Sequence, residues 1–164
     1  MNKTKRCFVF DDGINQNWME AEPPTVRQAV LKDYRLGFCG NMVTLVPCKG
    51  RMVEGLICKL SLEKEEAMDW GKGYPGGLYE KQEVIVKGKD NTGYRVMVYV
   101  PDRIASMHHA LPSAEYFGRM VEGYCQHGFQ TKELFESLKD TERDMMKLEA
   151  KLRGAMVKKK NIER

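Results

Sequence analysis

The feature that most constrains this chain is a change of hydrophobic period along its length. Up to residue 100 the apolar positions mostly come in short runs bounded by Gly, Pro, Asp or Asn, the pattern of strands and turns. From Ser113 onward they recur every three to four residues, the pattern of helices. Strands gathered in one part of a chain and helices in another predict an α+β domain.

The individual elements follow. Residues 6–11 read as a first strand, ended by the turn formers Asp12-Gly13. Pro23-Pro24 breaks the next stretch. Residues 34–39 and 42–46 are β-rich runs around a Gly40-Asn41 turn, and 52–60 is a longer apolar strand. Ser61 is placed to cap a short helix over 62–70, with Glu63, Glu65 and Glu66 near its positive end. Four glycines and Pro75 make 71–77 an irregular loop that can approach a ligand closely. Two more strands, 80–87 and 94–100, flank a turn at 89–93. Helices over 113–126 and 131–157 complete the chain, the first stopping at Gly128.

The motifs at the turns carry a resemblance. Asp69-Trp70-Gly71-Lys72-Gly73-Tyr74-Pro75, followed by Gly77-Leu78-Tyr79 and the 81–86 strand, resembles the γ-glutamylcyclotransferase (AIG2-like) family, which reads roughly Leu-Asp-x-x-Glu-Gly-x-Pro here. Cys7-Phe8-Val9-Phe10-Asp11-Asp12-Gly13-Ile14-Asn15 aligns with the family's first strand and its Tyr-Gly-Ser-Asn loop, with Met19 in register. Leu111-Pro112-Ser113, Tyr116, Glu122-Gly123-Tyr124 and His127-Gly128-Phe129 match the closing helix. The resemblance implies a small mixed β-barrel with peripheral and C-terminal helices and a pocket at one end. Residues 1–130 would form the barrel domain, and 131–164 a long amphipathic helix with a basic tail.

The family reaction is an intramolecular transamidation that releases 5-oxoproline from a γ-glutamyl amine or amino acid. A carboxylate removes a proton from the attacking amine and delivers it to the leaving nitrogen. The resemblance puts Lys72 at that glutamate's position, and an ammonium is a donor, not a base. Losing a general base costs about 10²–10⁴-fold in rate. Asp11 and Asp12 place carboxylates in a loop that should receive one, which weakens that ligand class by like-charge repulsion.

Two readings stand side by side. In one, Lys72 is solvated or paired at the surface and Asp11-Asp12-Gly13 simply ends a strand. In the other, the charges have exchanged sides of one pocket: Lys72 pairs with Asp11 or Asp12 or binds an anion, and Asp12 is a candidate replacement base. The ligand-contacting residues implied are Phe10, Asp11, Asp12, Gly13, Ile14, Tyr79 and Tyr99, the two tyrosines being equally explicable as packing. Glu80 and Glu83, on the following strand, face solvent, or one of them stands in for the missing acid if the 71–77 loop is remodelled. The expected function is small-molecule binding, a γ-glutamyl compound included, without the usual catalysis. An active cyclotransferase with a rebuilt acid/base and an interaction protein are the alternatives.

Other chemistries find little support. His108-His109 and His127 lack a carboxylate at ligand spacing, so neither a metal nor another cofactor is expected. No Walker, Gly-x-Ser-x-Gly or dinucleotide motif is present. Five scattered cysteines without a Cys-x-x-Cys, and a basic N-terminus without an apolar core, predict a cytoplasmic protein with reduced thiols. No apolar run approaches membrane-spanning length. Residues 141–164 carry eight Lys/Arg against four Asp/Glu, equal to the whole chain's surplus of +4, so the first 140 residues are formally neutral and offer no nucleic-acid surface. In the final helix Leu134, Leu138, Thr141, Met145, Leu148, Leu152 and Ala155 follow a 4-3 spacing. That stripe packs on the barrel, or residues 134–155 form a homodimer or partner-protein seam.

Overall fold

The computed structural model describes residues 4–15 and 26–162. Met19 and Pro23-Pro24 lie outside the described residues. Five strands close into a barrel in the order β1-β3-β2-β4-β5: β1 Lys5–Val9, β2 Val26–Phe38, β3 Val43–Leu60, β4 Tyr79–Gly88 and β5 Gly93–Pro101. Every pairing is antiparallel except the closing one, where β1 meets β5 in parallel at Cys7 and Met97. The mixed barrel with helices matches the α+β expectation. Phe8, Phe38, Leu56, Val86, Val96 and Val98 are among its fully buried side chains. No helix among the described residues is long and apolar enough to cross a membrane.

The principal difference from the sequence reading is the β2–β3 hairpin. The runs at 34–39, 42–46 and 52–60 are arms of two long strands, 13 and 18 residues, and not separate short ones. The polar stretch 47–51 interrupts the hydrophobic pattern but not the strand. The register shifts there: Lys32 pairs with Met52, whereas Tyr34 pairs with Pro47. Asp33, at φ +65, turns through this bulge, and its carboxylate accepts a hydrogen bond from the Gly50 N–H at 3.0 Å. Before the bulge β2 also pairs with β4, Ala29 with Gly88 and Val30 with Lys87.

The described residues form four α-helices besides the barrel: α1 Leu62–Lys72, α2 Arg103–Ser106, α3 Ala114–His127 and α4 Lys132–Ile162. Ser61 caps α1, accepting from the Lys64 N–H at 3.2 Å. The helix runs two residues past the expected end. Gly71 and Lys72 form its last turn, because the left-handed stop is Gly73, at φ +69. Ser113 caps α3 in the same way, and Gly128 ends it.

The stripe of α4 divides. Leu134 and Thr141 are buried, and the Thr141 hydroxyl accepts from the Phe38 N–H at 3.1 Å while donating to the Ser137 carbonyl at 2.9 Å. Arg35 pairs with Asp144 at 2.9 Å, and Arg51 bridges Glu133 and Asp140, both at 3.0 Å. From Met145 to Ile162 every residue is exposed, Leu148 and Leu152 included. Thr141, an irregularity in the sequence pattern, is where the helix bonds to the barrel.

Candidate functional site

A cleft of about 1040 Å³ opens where the turn after β1, the last turns of α1, the start of β4 and one face of α3 converge. Asp11 caps a single 3₁₀ turn over Asp12–Ile14, its Oδ1 accepting from the Gly13 N–H at 2.9 Å. Hydrogen bonds hold this turn against α3: Asn15 donates to the Arg119 carbonyl at 3.1 Å, and His127 Nε2 donates to the Ile14 carbonyl at 2.9 Å. Gly123 permits the approach, since a Cβ there would lie 2.7 Å from Ile14 Cγ1.

Lys72 reaches across the cleft and donates directly to Asp11 Oδ2. Its ammonium also stands 5.1 Å from the Tyr79 ring centroid. Asp12 pairs with Arg119 at 3.5 Å, and Arg119 lies over the Tyr116 ring at 5.5 Å. Side-chain exposure is 21% for Lys72 and 13% for Asp11, so the pair is largely out of water.

The electrostatics follow from that geometry. Burial alone would raise the Asp11 carboxyl, but the Lys72 charge and the Gly13 N–H outweigh it and hold the group below its ordinary value. Burial alone would lower the Lys72 ammonium, and the Asp11 carboxylate in contact holds it above its ordinary value instead. Asp12 moves the other way: burial and the neighbouring Asp11 charge raise it against the pull of Lys72 and Arg119. Burial pushes the Tyr79 phenol up to about 12 and also raises Tyr116, so both remain neutral donors. Burial likewise raises the Cys58 thiol on the cleft wall to about 11, leaving no ready thiolate.

A separate network anchors α1. Lys81 binds Glu65 at 3.2 Å and Asp69 at 3.0 Å, Lys5 binds Glu65 at 3.1 Å, and the Tyr99 hydroxyl donates to Asp69 Oδ1 at 2.5 Å. These bonds fix the helix that carries Lys72.

The structure thus brings Lys72, Asp11, Asp12, Gly13 and Tyr79 to one cleft. Phe10, Ile14 and Tyr99 are 3%, 0% and 4% exposed and sit in the core, outside the cleft lining. Phe10 and Ile14 flank the turn but point inward to hold it, and Tyr99 serves α1 through Asp69. Glu80 is exposed outside the lining, and Glu83 pairs with Arg95 at 3.4 Å. Sequence reading missed Arg119, Trp70, Met68, Lys59 and Lys64, all of which line the cleft. Arg119 lies three residues after the quoted Tyr116, one turn along the same helix face, and that spacing was its available signal. Among the described residues no group of three His, Cys, Asp or Glu is arranged to hold a metal ion.

Comparison with known proteins agrees with this architecture. The family model described as "Gamma-glutamyl cyclotransferase, AIG2-like" matches residues 11–118. A solved structure titled "Gamma-glutamyl cyclotransferase" is 20% identical, with a TM-score of 0.67 over 84% of this chain and 87% of its own. A structure of an uncharacterized protein from Homo sapiens is 18% identical, with a TM-score of 0.65 over 87% of this chain and 86% of its own. YkqA from Bacillus subtilis is 14% identical, with a TM-score of 0.63 over 84% of this chain and 55% of its own. These likenesses bear on the fold alone. No curated protein matches the chain.

Proposed function

The chain belongs to the γ-glutamyl cyclotransferase, AIG2-like family, and we propose that it keeps the family cleft as a small-molecule binding site without the cyclotransferase step. The observation that carries this reading is the Lys72–Asp11 ion pair inside the cleft. The resemblance puts Lys72 where the family has its acid/base. An ammonium held above its ordinary range has no lone pair for the attacking amine. Asp11, held below its ordinary range, is too weak a base to substitute. The cleft exceeds the ordinary volume of a ligand pocket, roughly 300–1,000 Å³, and keeps two neutral phenols as donors. Its ligand is a small molecule, γ-glutamyl compounds included. A cytoplasmic location belongs to the same reading and rests on the cysteine usage.

The test is 5-oxoproline release from a panel of γ-glutamyl amino acids and amines, with Lys72→Glu run in parallel. No release from the natural protein is expected. Release that disappears in Asp12→Asn would establish the alternative, a rebuilt active site using the one cleft carboxyl whose pKa is raised. Release only from Lys72→Glu would mark a pocket disabled at its base.

A second reading rests on α4. Its residues 145–162 are exposed and continue the apolar stripe through Leu148 and Leu152, as an interaction seam for a second copy or a partner protein would. A mass that rises with concentration and falls back in Leu148→Glu supports it, and a concentration-independent monomer removes the self-association form.

A further inference from the structure

We infer that the cleft's ligand is an amphipathic anion, with an acidic head near Lys59 and Lys64 and an apolar body lying along α1. This deepens the small-molecule reading above and depends on it.

The first argument is the orientation of α1. Two of its acids face the barrel, Glu65 at 5% exposed and Asp69 bound by Lys81 and Tyr99, while Glu63 and Glu66 are exposed. Lys64, Ala67, Met68 and Gly71, spaced i, i+3, i+4 and i+7, line the cleft instead. Trp70 and Leu78, at its margin, are 77% and 46% exposed. A helix normally turns its apolar side toward the core and its charges outward. Here the barrel side takes Glu65 and Asp69, and on the cleft side Ala67 and Trp70 are exposed while Met68 is partly buried against the core. An apolar surface rimmed by polar groups is the mark of a binding site.

The second argument is the charge balance. Both acids of the cleft are matched, Asp11 by Lys72 and Asp12 by Arg119. Lys59 and Lys64 also line it, and among the described residues neither is ion-paired within 4.0 Å. The surplus is therefore cationic, and it lies toward the N-terminal half of α1. A free zwitterion needs an anionic partner for its ammonium, and both cleft carboxylates are engaged. An amphipathic anion needs only the cations and the apolar floor.

The third argument is length. Lys64 and Gly71 are seven residues apart along the helix, about 10 Å at 1.5 Å per residue, which suits a medium alkyl chain or a fused aromatic system.

Isothermal titration calorimetry with the full-length protein tests the inference, using decanoate, decanol, decylamine and γ-glutamylalanine as probes. Decanoate is expected to bind tightest, about tenfold above decanol, as a charge-assisted contact predicts. Lys59→Ser/Lys64→Ser is expected to weaken decanoate about five- to tenfold, the size of two partly exposed ion pairs, and to leave decanol unchanged. Trp70→Ala is expected to weaken both about tenfold, through lost apolar contact. Tighter binding of γ-glutamylalanine or decylamine than of decanoate would overturn the ligand class and leave the cleft reading standing. Absence of binding by all four probes would overturn the inference and count against the cleft reading as well.

Discussion

Replacing Lys72 with methionine removes one partner of a pair that is largely out of water and leaves the Asp11 carboxylate beside Asp12. Breaking a buried pair from one side costs about 3–5 kcal/mol, most of it the burden of the stranded charge. The Gly13 N–H still serves one Asp11 oxygen, so the lower end, about 3 kcal/mol, applies. With a urea m-value of about 2 kcal/mol/M the midpoint falls by about 1.5 M. The double variant Asp11→Asn/Lys72→Met strands no charge and should lose only about 1 kcal/mol, giving strong coupling in the double-mutant cycle. The pH dependence is diagnostic. In the natural protein the Asp11 pKa is depressed, so its contribution is present above the unfolded value, about 4, and is lost as the pH falls through the depressed one. In Lys72→Met burial, the largest influence, is opposed only by backbone N–H groups and raises that pKa, so protonation on acidification relieves the cost. The gap between the two proteins should be widest near pH 7 and narrow below about pH 5. Equal midpoints at pH 7 and at about pH 4 would refute the argument and make Lys72 a solvated residue.

Further outcomes follow from other contacts. Thr141→Val orphans the buried Phe38 N–H and should cost about 2 kcal/mol, seen as a lower Tm with no change in oligomeric state. Gly123→Ala drives a methyl to within 2.7 Å of Ile14 Cγ1 and should cost about 1–3 kcal/mol, with weaker binding at the cleft because the Asp12 turn shifts. Truncation after Asp144 removes only exposed residues of α4 and should leave stability within about 0.5 kcal/mol of the full chain, measured by urea unfolding at fixed protein concentration.

What could be read in advance was what period and punctuation control. Ser61, Ser113, Gly73 and Gly128 act through local chemistry, and the cap at Ser61 and the stop at Gly128 were legible from the sequence. The long β2–β3 hairpin was not, because residues 47–51 look like a loop and only the pairing partner shows that the strand continues through a bulge. The two barrel-facing acids of α1 were hidden for a related reason. Glu65 and Asp69 look solvated until Lys81, twelve residues after Asp69, comes round the barrel to meet them. The position of Lys72 turned on a choice between Trp70 and Gly73 as the end of α1. Gly71 looks like a helix breaker, yet a single glycine costs a helix only about 1 kcal/mol, whereas the left-handed cap needs the glycine at 73. Ending the helix there puts Lys72 on rigid backbone, one turn after Asp69, which Lys81 and Tyr99 already fix. The ammonium is thereby aimed at Asp11 by the helix and not by a mobile loop. Restoring a glutamate at position 72 would therefore set its carboxylate against Asp11 and Asp12, of which Asp12 alone would keep its ion pair, with Arg119. The double variant Asp11→Gly/Lys72→Glu should accordingly release 5-oxoproline faster than Lys72→Glu alone.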